Sequence, residues 1–266
     1  MPGDVMNFHQ WRVMSVFAVL AVVTWAATPS AQWIRYPQPG VPRTADGRAD
    51  LAAPAPRGAN GRPLLAGVWR PAPTIIGDIA RGMPPGATLP IRPWAQDLLK
   101  RRIANDARED PSAKCIVGGV PRNNFVPYPL RILETPGIVA VLYEAIQSFR
   151  QIFTDGRELE KDPNPAWLGY SVGRWDGDVF VVTSNGFNDD VWLDNLGTPA
   201  TGQLRVTERF IRRSVGRMDI EITIDDPKTY TRPWTVTQPL ALVADGELIE
   251  YICQENNKYF EILPKK

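Results

Sequence analysis

From Leu130 to Gln254 the chain reads as a series of short segments that alternate in polarity, and this limits the fold more than any other feature. The segments are Leu130–Glu134, Ile138–Glu144, Ser148–Thr154, Gly169–Trp175, Asp178–Ser184, Leu204–Arg213, Arg217–Ile224, Trp234–Gln238 and Glu247–Gln254. Each is rich in β-branched and aromatic residues at period two, the pattern of a strand with one face buried. Asp155-Gly156, Asp176-Gly177 and Asp245-Gly246 are turn signals, because glycine takes the positive φ that tight turns require. Short strands in series with turns between neighbours predict an antiparallel meander, closed into a barrel or folded as a two-sheet sandwich.

The remaining chain adds little regular structure. Pro93 is placed to open one helix, in which Trp94, Leu98 and Ile103 recur at near-helical spacing beside Leu99. That helix should end before Asp110-Pro111. Gly67-Val68-Trp69 is similar to the first-strand signature of lipocalin-type barrels, although a tryptophan packed in any core gives the same tripeptide. The expected fold is therefore a mainly β, lipocalin-like barrel with one or two peripheral helices, and the alternative is a β-sandwich.

The N-terminal end reads as an export signal. Val13 to Ala27 is an uncharged run of 15 residues preceded by Arg12 and followed by Pro29-Ser30-Ala31. This is the layout of a secretory signal peptide over 1–31, and the run is short for a membrane-spanning helix. The alternative is an uncleaved anchor. After cleavage no stable membrane insertion is expected. Residues 32–62 are rich in Pro, Gly, Ala and Arg with no apolar period, and such a stretch cannot bury enough surface to offset its ordering entropy. It reads as a flexible arm before a single β domain over 63–266. The expected location is periplasmic or secreted.

Composition excludes several function classes. With 30 basic and 29 acidic residues the net charge is +1 and the arginines are scattered, so no nucleic-acid groove is expected. The one histidine, His9, lies in the segment expected to be removed. A mature chain without histidine has no Ser-His-Asp triad, no Cys-His pair and no His-ligated metal site. Acid–base chemistry would fall to carboxylates, tyrosine or lysine. No phosphate-binding loop or nucleotide fingerprint is present, and no cofactor or metal is expected. Cys115 and Cys253 are the only cysteines. In an oxidising compartment such a pair is expected as a disulfide, and a redox pair would need C-x-x-C spacing.

Four blocks carry a resemblance. They are Phe149-Arg150-Gln151-Ile152-Phe153 running into Asp155-Gly156-Arg157, then Gly169-Tyr170-Ser171-Val172-Gly173-Arg174-Trp175-Asp176-Gly177-Asp178, then Arg205-Val206-Thr207-Glu208-Arg209-Phe210, and Asp225-Asp226-Pro227 with Tyr230-Thr231-Arg232-Pro233-Trp234. Over Pro93 to Asn257 the chain resembles a family of exported bacterial proteins of unassigned function that share the G-Y-S-x-G-x-W-[DE]-G-D and R-V-T-E-R-F blocks. Members of that family often read Pro-His-Ser-acid shortly before the second block. Here the place is Pro199-Ala200-Thr201-Gly202, so any chemistry of that histidine is missing.

Glu208 is the carboxylate that most invites a role. On its strand Leu204, Val206, Glu208 and Phe210 share a face, which places an acid among apolar side chains where desolvation raises its pKa. It reads either as a general acid or base, with Asp189 or Asp190 of the long loop as partner, or as half of a buried ion pair with Arg174 or Arg150. The loop itself, Gly186 to Gln203, has 18 residues without a strand pattern. It reads as a lid, as a set of oxygen ligands for calcium without the EF-hand order, or as a surface loop whose Asp and Asn residues cap turns. Trp192 and Trp234, with Tyr170, Arg150 and Arg174, are the candidate ligand-binding residues, because aromatic rings in a barrel mouth suit flat apolar ligands or sugar faces.

Three functional readings follow. The first is an exported binder of a small, partly apolar ligand. The second is a carboxylate-dependent hydrolase, lyase or isomerase, which requires Glu208 and Asp189 or Asp190 to meet at one cavity. The third is an envelope interaction module, which predicts a filled barrel and an exposed apolar patch.

Overall fold

A computed structural model describes residues 36–255; the expected signal segment, with His9, lies outside them. Nine strands form one closed ring in sequence order. They are β1 (Gly67–Pro71), β2 (Leu130–Thr135), β3 (Ile138–Tyr143), β4 (Ser148–Phe153), β5 (Tyr170–Asp176), β6 (Val179–Asn185), β7 (Arg205–Arg212), β8 (Arg217–Asp225) and β9 (Trp234–Leu242). Neighbours are antiparallel except β4 and β5, which meet in parallel at the single pair Phe153–Val172. The ring closes where β9 pairs with β1, Trp69 opposite Leu242. The lipocalin-like barrel expected from the alternation is the fold, and the sandwich is not.

Two details differ from the expectation. Glu247–Gln254 is not a strand, because β1 already occupies the free edge of β9 and no edge is left to pair with. Cys253 instead bonds Cys115 across a sequence separation of 138, with Cα atoms 5.6 Å apart. The described part of the expected arm, residues 36–62, is also tied to the barrel. The carbonyls of Leu51 and Ala53 accept from the amides of Gly216 and Val215, each at 2.9 Å, and Arg57 pairs with Asp178. Backbone bonding to the barrel turns supplies what side-chain burial cannot.

The barrel interior is packed with side chains. Trp69, Ile132, Phe180, Val206, Ile220 and Ile222 are all buried and belong to one core. At one end Arg212 donates to the carbonyls of Leu64, Ser214 and Val215 at 2.7–2.9 Å and lies over the Trp69 ring. Burial pushes its guanidinium down to about 10. The other end, here called the mouth, is closed by Tyr230 set edge-on to Trp234 and by Phe187. Helix α1 (Pro93–Ala104) begins with proline as expected. Its Trp94 and Ile103 are exposed, and Ala95 is the residue it buries.

Candidate functional site

The candidate residues named from sequence fall in several separate places. Glu208 lies inside the barrel, fully buried on β7 between Val182 of β6 and Ile222 of β8. Its Oε2 receives Arg150 from β4 at 2.5 Å and its Oε1 receives the Asn124 side-chain amide at 2.6 Å. Arg150 also donates to Ser184 at 2.8 Å and Ser171 at 3.1 Å. Tyr143 completes the cluster, donating its hydroxyl to Asn124 Oδ1 at 2.8 Å.

The electrostatics of this cluster are those of a tight ion pair. Burial is the largest influence and alone would lower the Arg150 guanidinium, but the charge and hydrogen bond of Glu208 together with Tyr143 outweigh it, and its pKa rises. The Tyr143 phenol is pushed up to about 12, first by burial and then by Glu208. Of the two arginines considered as partners, Arg150 is the one that pairs. Arg174 opposes Val181 and stands exposed on the outer surface. Tyr170 is also away from the interior, accepting from Arg157 at 3.2 Å and packed near Phe153.

The long loop separates its acids instead of gathering them. Val191, Trp192, Leu193 and Asp194 are buried, so this part of the segment packs into the protein and is not a solvated surface loop. Asp194 accepts from the Ile79 amide, the Thr198 amide and the Thr198 hydroxyl at 2.7–2.9 Å. Burial raises its pKa. Asp189 and Asp190 are exposed and face different grooves. Asp190 borders a groove with Trp167, Lys114 and Trp192, whose ring lies under Arg102 at 4.2 Å. Trp234 is buried, and its indole N–H has no partner among the described residues. Glu208 therefore does not meet Asp189 or Asp190. Among the described residues no group of three or more His, Cys, Asp or Glu is placed to hold a metal ion.

Asp189 leads to a cleft of about 640 Å³ at the rim of the mouth. That volume falls within the ~300–1,000 Å³ of small-ligand sites. Its wall is built where β6 ends and β7 begins. Asn185 closes β6, Gln203 lies just before β7, Arg205 opens it, and the segment Lys161–Pro165 faces them. Asp189 Oδ1 accepts from the Gly202 amide at 2.7 Å, fixing the loop against β7. Asn185 is 8% exposed; its amide nitrogen donates to the Glu160 carbonyl at 2.8 Å, while its side-chain oxygen has no partner among the described residues. The sequence reading missed Asn185, Gln203, Asn124 and Tyr143. Asn185 carries a signal in hindsight: it is a polar residue at a strand end where the alternation of β6 stops.

Compared with family models, with curated proteins and with solved structures, the chain matches none.

Proposed function

We propose that the mature chain is a periplasmic or secreted binder of a small, partly apolar ligand, held in the cleft at the mouth rim and not inside the barrel. The observation that carries this reading is the buried, unpartnered side-chain oxygen of Asn185 in the cleft wall. An acceptor left unpaired in a buried place costs about 1–3 kcal/mol, which a ligand donor recovers. The filled interior moves the binding site outward. The Cys115–Cys253 disulfide supports an oxidising compartment. The carboxylate-dependent enzyme gains no support from Glu208, whose oxygens are both engaged.

A thermal-shift screen of small, partly apolar metabolites tests the binder. A ligand at 100 times its Kd adds about 2.7 kcal/mol, a rise of roughly 5–11 °C for a domain of this size. The rise should vanish in Asn185→Leu. A ligand that stabilises both proteins equally refutes the cleft as the site.

One observation favours the interaction module as a second reading. On the outer face of β2–β3–β4, Leu142 pairs with Phe149 and Ile138 with Phe153, with Leu133 opposite the intervening Ala140, and Phe149 is 63% exposed. Apolar clusters of this kind mark contact surfaces. Envelope proteins retained by the wild type and released by Phe149→Lys would support it; identical retention by both would count against it.

A further inference from the structure

We propose that the mouth cleft takes a neutral, hydroxyl-rich ligand, in chemical class a short saccharide. The inference rests on the reading of that cleft as the binding site, and the charge and hydrogen-bonding capacity of its wall select the class. Asp162, Asp189 and Asp225 bring three carboxylates to the cleft, and Lys161 and Arg205 bring two cations. None of the five is in an ion pair among the described residues. An anionic ligand would meet the three carboxylates, and a polyamine would meet Lys161 and Arg205. A hydroxyl is neutral, donates to a carboxylate and accepts from an ammonium, guanidinium or amide N–H, so it suits both halves of the wall.

The amides favour the same chemistry. Gln203 contributes a free planar donor–acceptor pair, and Asn188 keeps its N–H donors while its oxygen accepts from the Asp190 amide at 3.1 Å. Planar groups of this kind bridge two adjacent hydroxyls on a ring. Asn185 supplies an independent indication of a ligand. It is more than nine-tenths buried, stands in the cleft wall, and lacks only a donor for its oxygen. Pro163, Pro165 and Pro227 provide apolar surface against which the C–H face of a pyranose packs.

Saturation-transfer difference NMR on the mature chain tests the class. Maltotriose, cellotriose and mannotriose serve as neutral probes, spermidine as the cation and citrate as the anion, with backbone-amide shifts locating each contact. At least one trisaccharide should give a signal, with shifts centred on Asn185, Gly202 and Gln203. Gln203→Ala with Asp189→Asn should weaken it about tenfold or more, the loss of one to two hydrogen bonds. Asn at 189 retains an oxygen for the Gly202 amide, so the fold is kept. If only spermidine or citrate shifts these amides, the cleft stands as a binding site and the saccharide class is overturned. If none of the five probes shifts them, both the class and the cleft reading are overturned. A trisaccharide that maps elsewhere, or binds the double variant as tightly, also overturns the proposal.

Discussion

Glu208→Gln separates structural from chemical work at the barrel centre. The substitution keeps the shape and removes the charge. The new amide has one oxygen where Glu208 had two acceptors, one for Arg150 and one for Asn124. If the oxygen faces Arg150, two N–H donors collide at Asn124. Asn124 cannot simply flip, because its own oxygen already accepts from Tyr143 at 2.8 Å. In either arrangement Arg150, which is 2% exposed, loses its counter-charge. Breaking a buried pair from one side costs about 3–5 kcal/mol. For a domain of this size that is a fall in Tm of roughly 6–20 °C. Urea titration and thermal melts without reductant measure it, and the single variants Arg150→Met and Glu208→Leu with their double variant form a double-mutant cycle. The double variant Arg150→Met/Glu208→Leu should recover most of the loss, since apolar replacement of a buried pair is often neutral or stabilising. A loss under about 1 kcal/mol for Glu208→Gln, or additive losses in the double variant, would refute the reasoning.

Three further outcomes are expected. Replacing Cys115 and Cys253 by Ala should lower stability by up to about 5 kcal/mol by chain entropy, read from urea midpoints; unchanged midpoints would show that the bridge constrains nothing. Gly173→Val should destabilise by about 1–3 kcal/mol, because a Cβ there would stand 2.4 Å from Phe180 Cζ and 2.8 Å from Ile152 Cγ2; a normal melt would contradict that packing. Asp194 has a folded pKa raised above its ordinary 3.8, so its contribution is full below that pH and declines as pH rises through the folded value. Relative to Asp194→Asn, the wild type should therefore lose stability as pH climbs above about 4, and melts showing the opposite slope would overturn the assignment.

The sequence carried the barrel because period-two alternation survives in most strands, and it failed where a strand lacks that pattern. β1 has five residues, two of them Gly and Pro, and only its Trp69 marked it. β9 was expected to stop at Gln238 because proline has no ladder N–H, yet Pro239 sits within it opposite Asp219. Of the three Asp-Gly signals only Asp176-Gly177 makes a tight turn between antiparallel neighbours; Asp155-Gly156 lies in the longer connection from β4 to β5, and Asp245-Gly246 follows β9. The inward face of Glu208 was legible, and its partner was narrowed to Arg150 or Arg174, of which Arg150 pairs. In β4 hydrophobicity alone would turn Phe149 and Phe153 inward, whereas Arg150 and Ile152 are the buried pair. The phase is reversed because a carboxylate on a facing strand needs a cation more than the core needs another ring. The cleft was illegible for a different reason: its wall joins the ends of distant elements with no common period.

The pairing of β9 with β1 also sets an order of events in time. Chains emerge N-terminus first, so β1 is made early and must wait for nearly the whole domain before its second neighbour exists. Until Leu242 is available to meet Trp69, the growing sheet has two open edges and its packed interior has no wall on one side. Cys115 waits longer still, since Cys253 follows β9. Every partial chain short of that point exposes strand edges that favour wrong partners. Neither the ring nor the bridge can be completed before nearly the whole domain has been made.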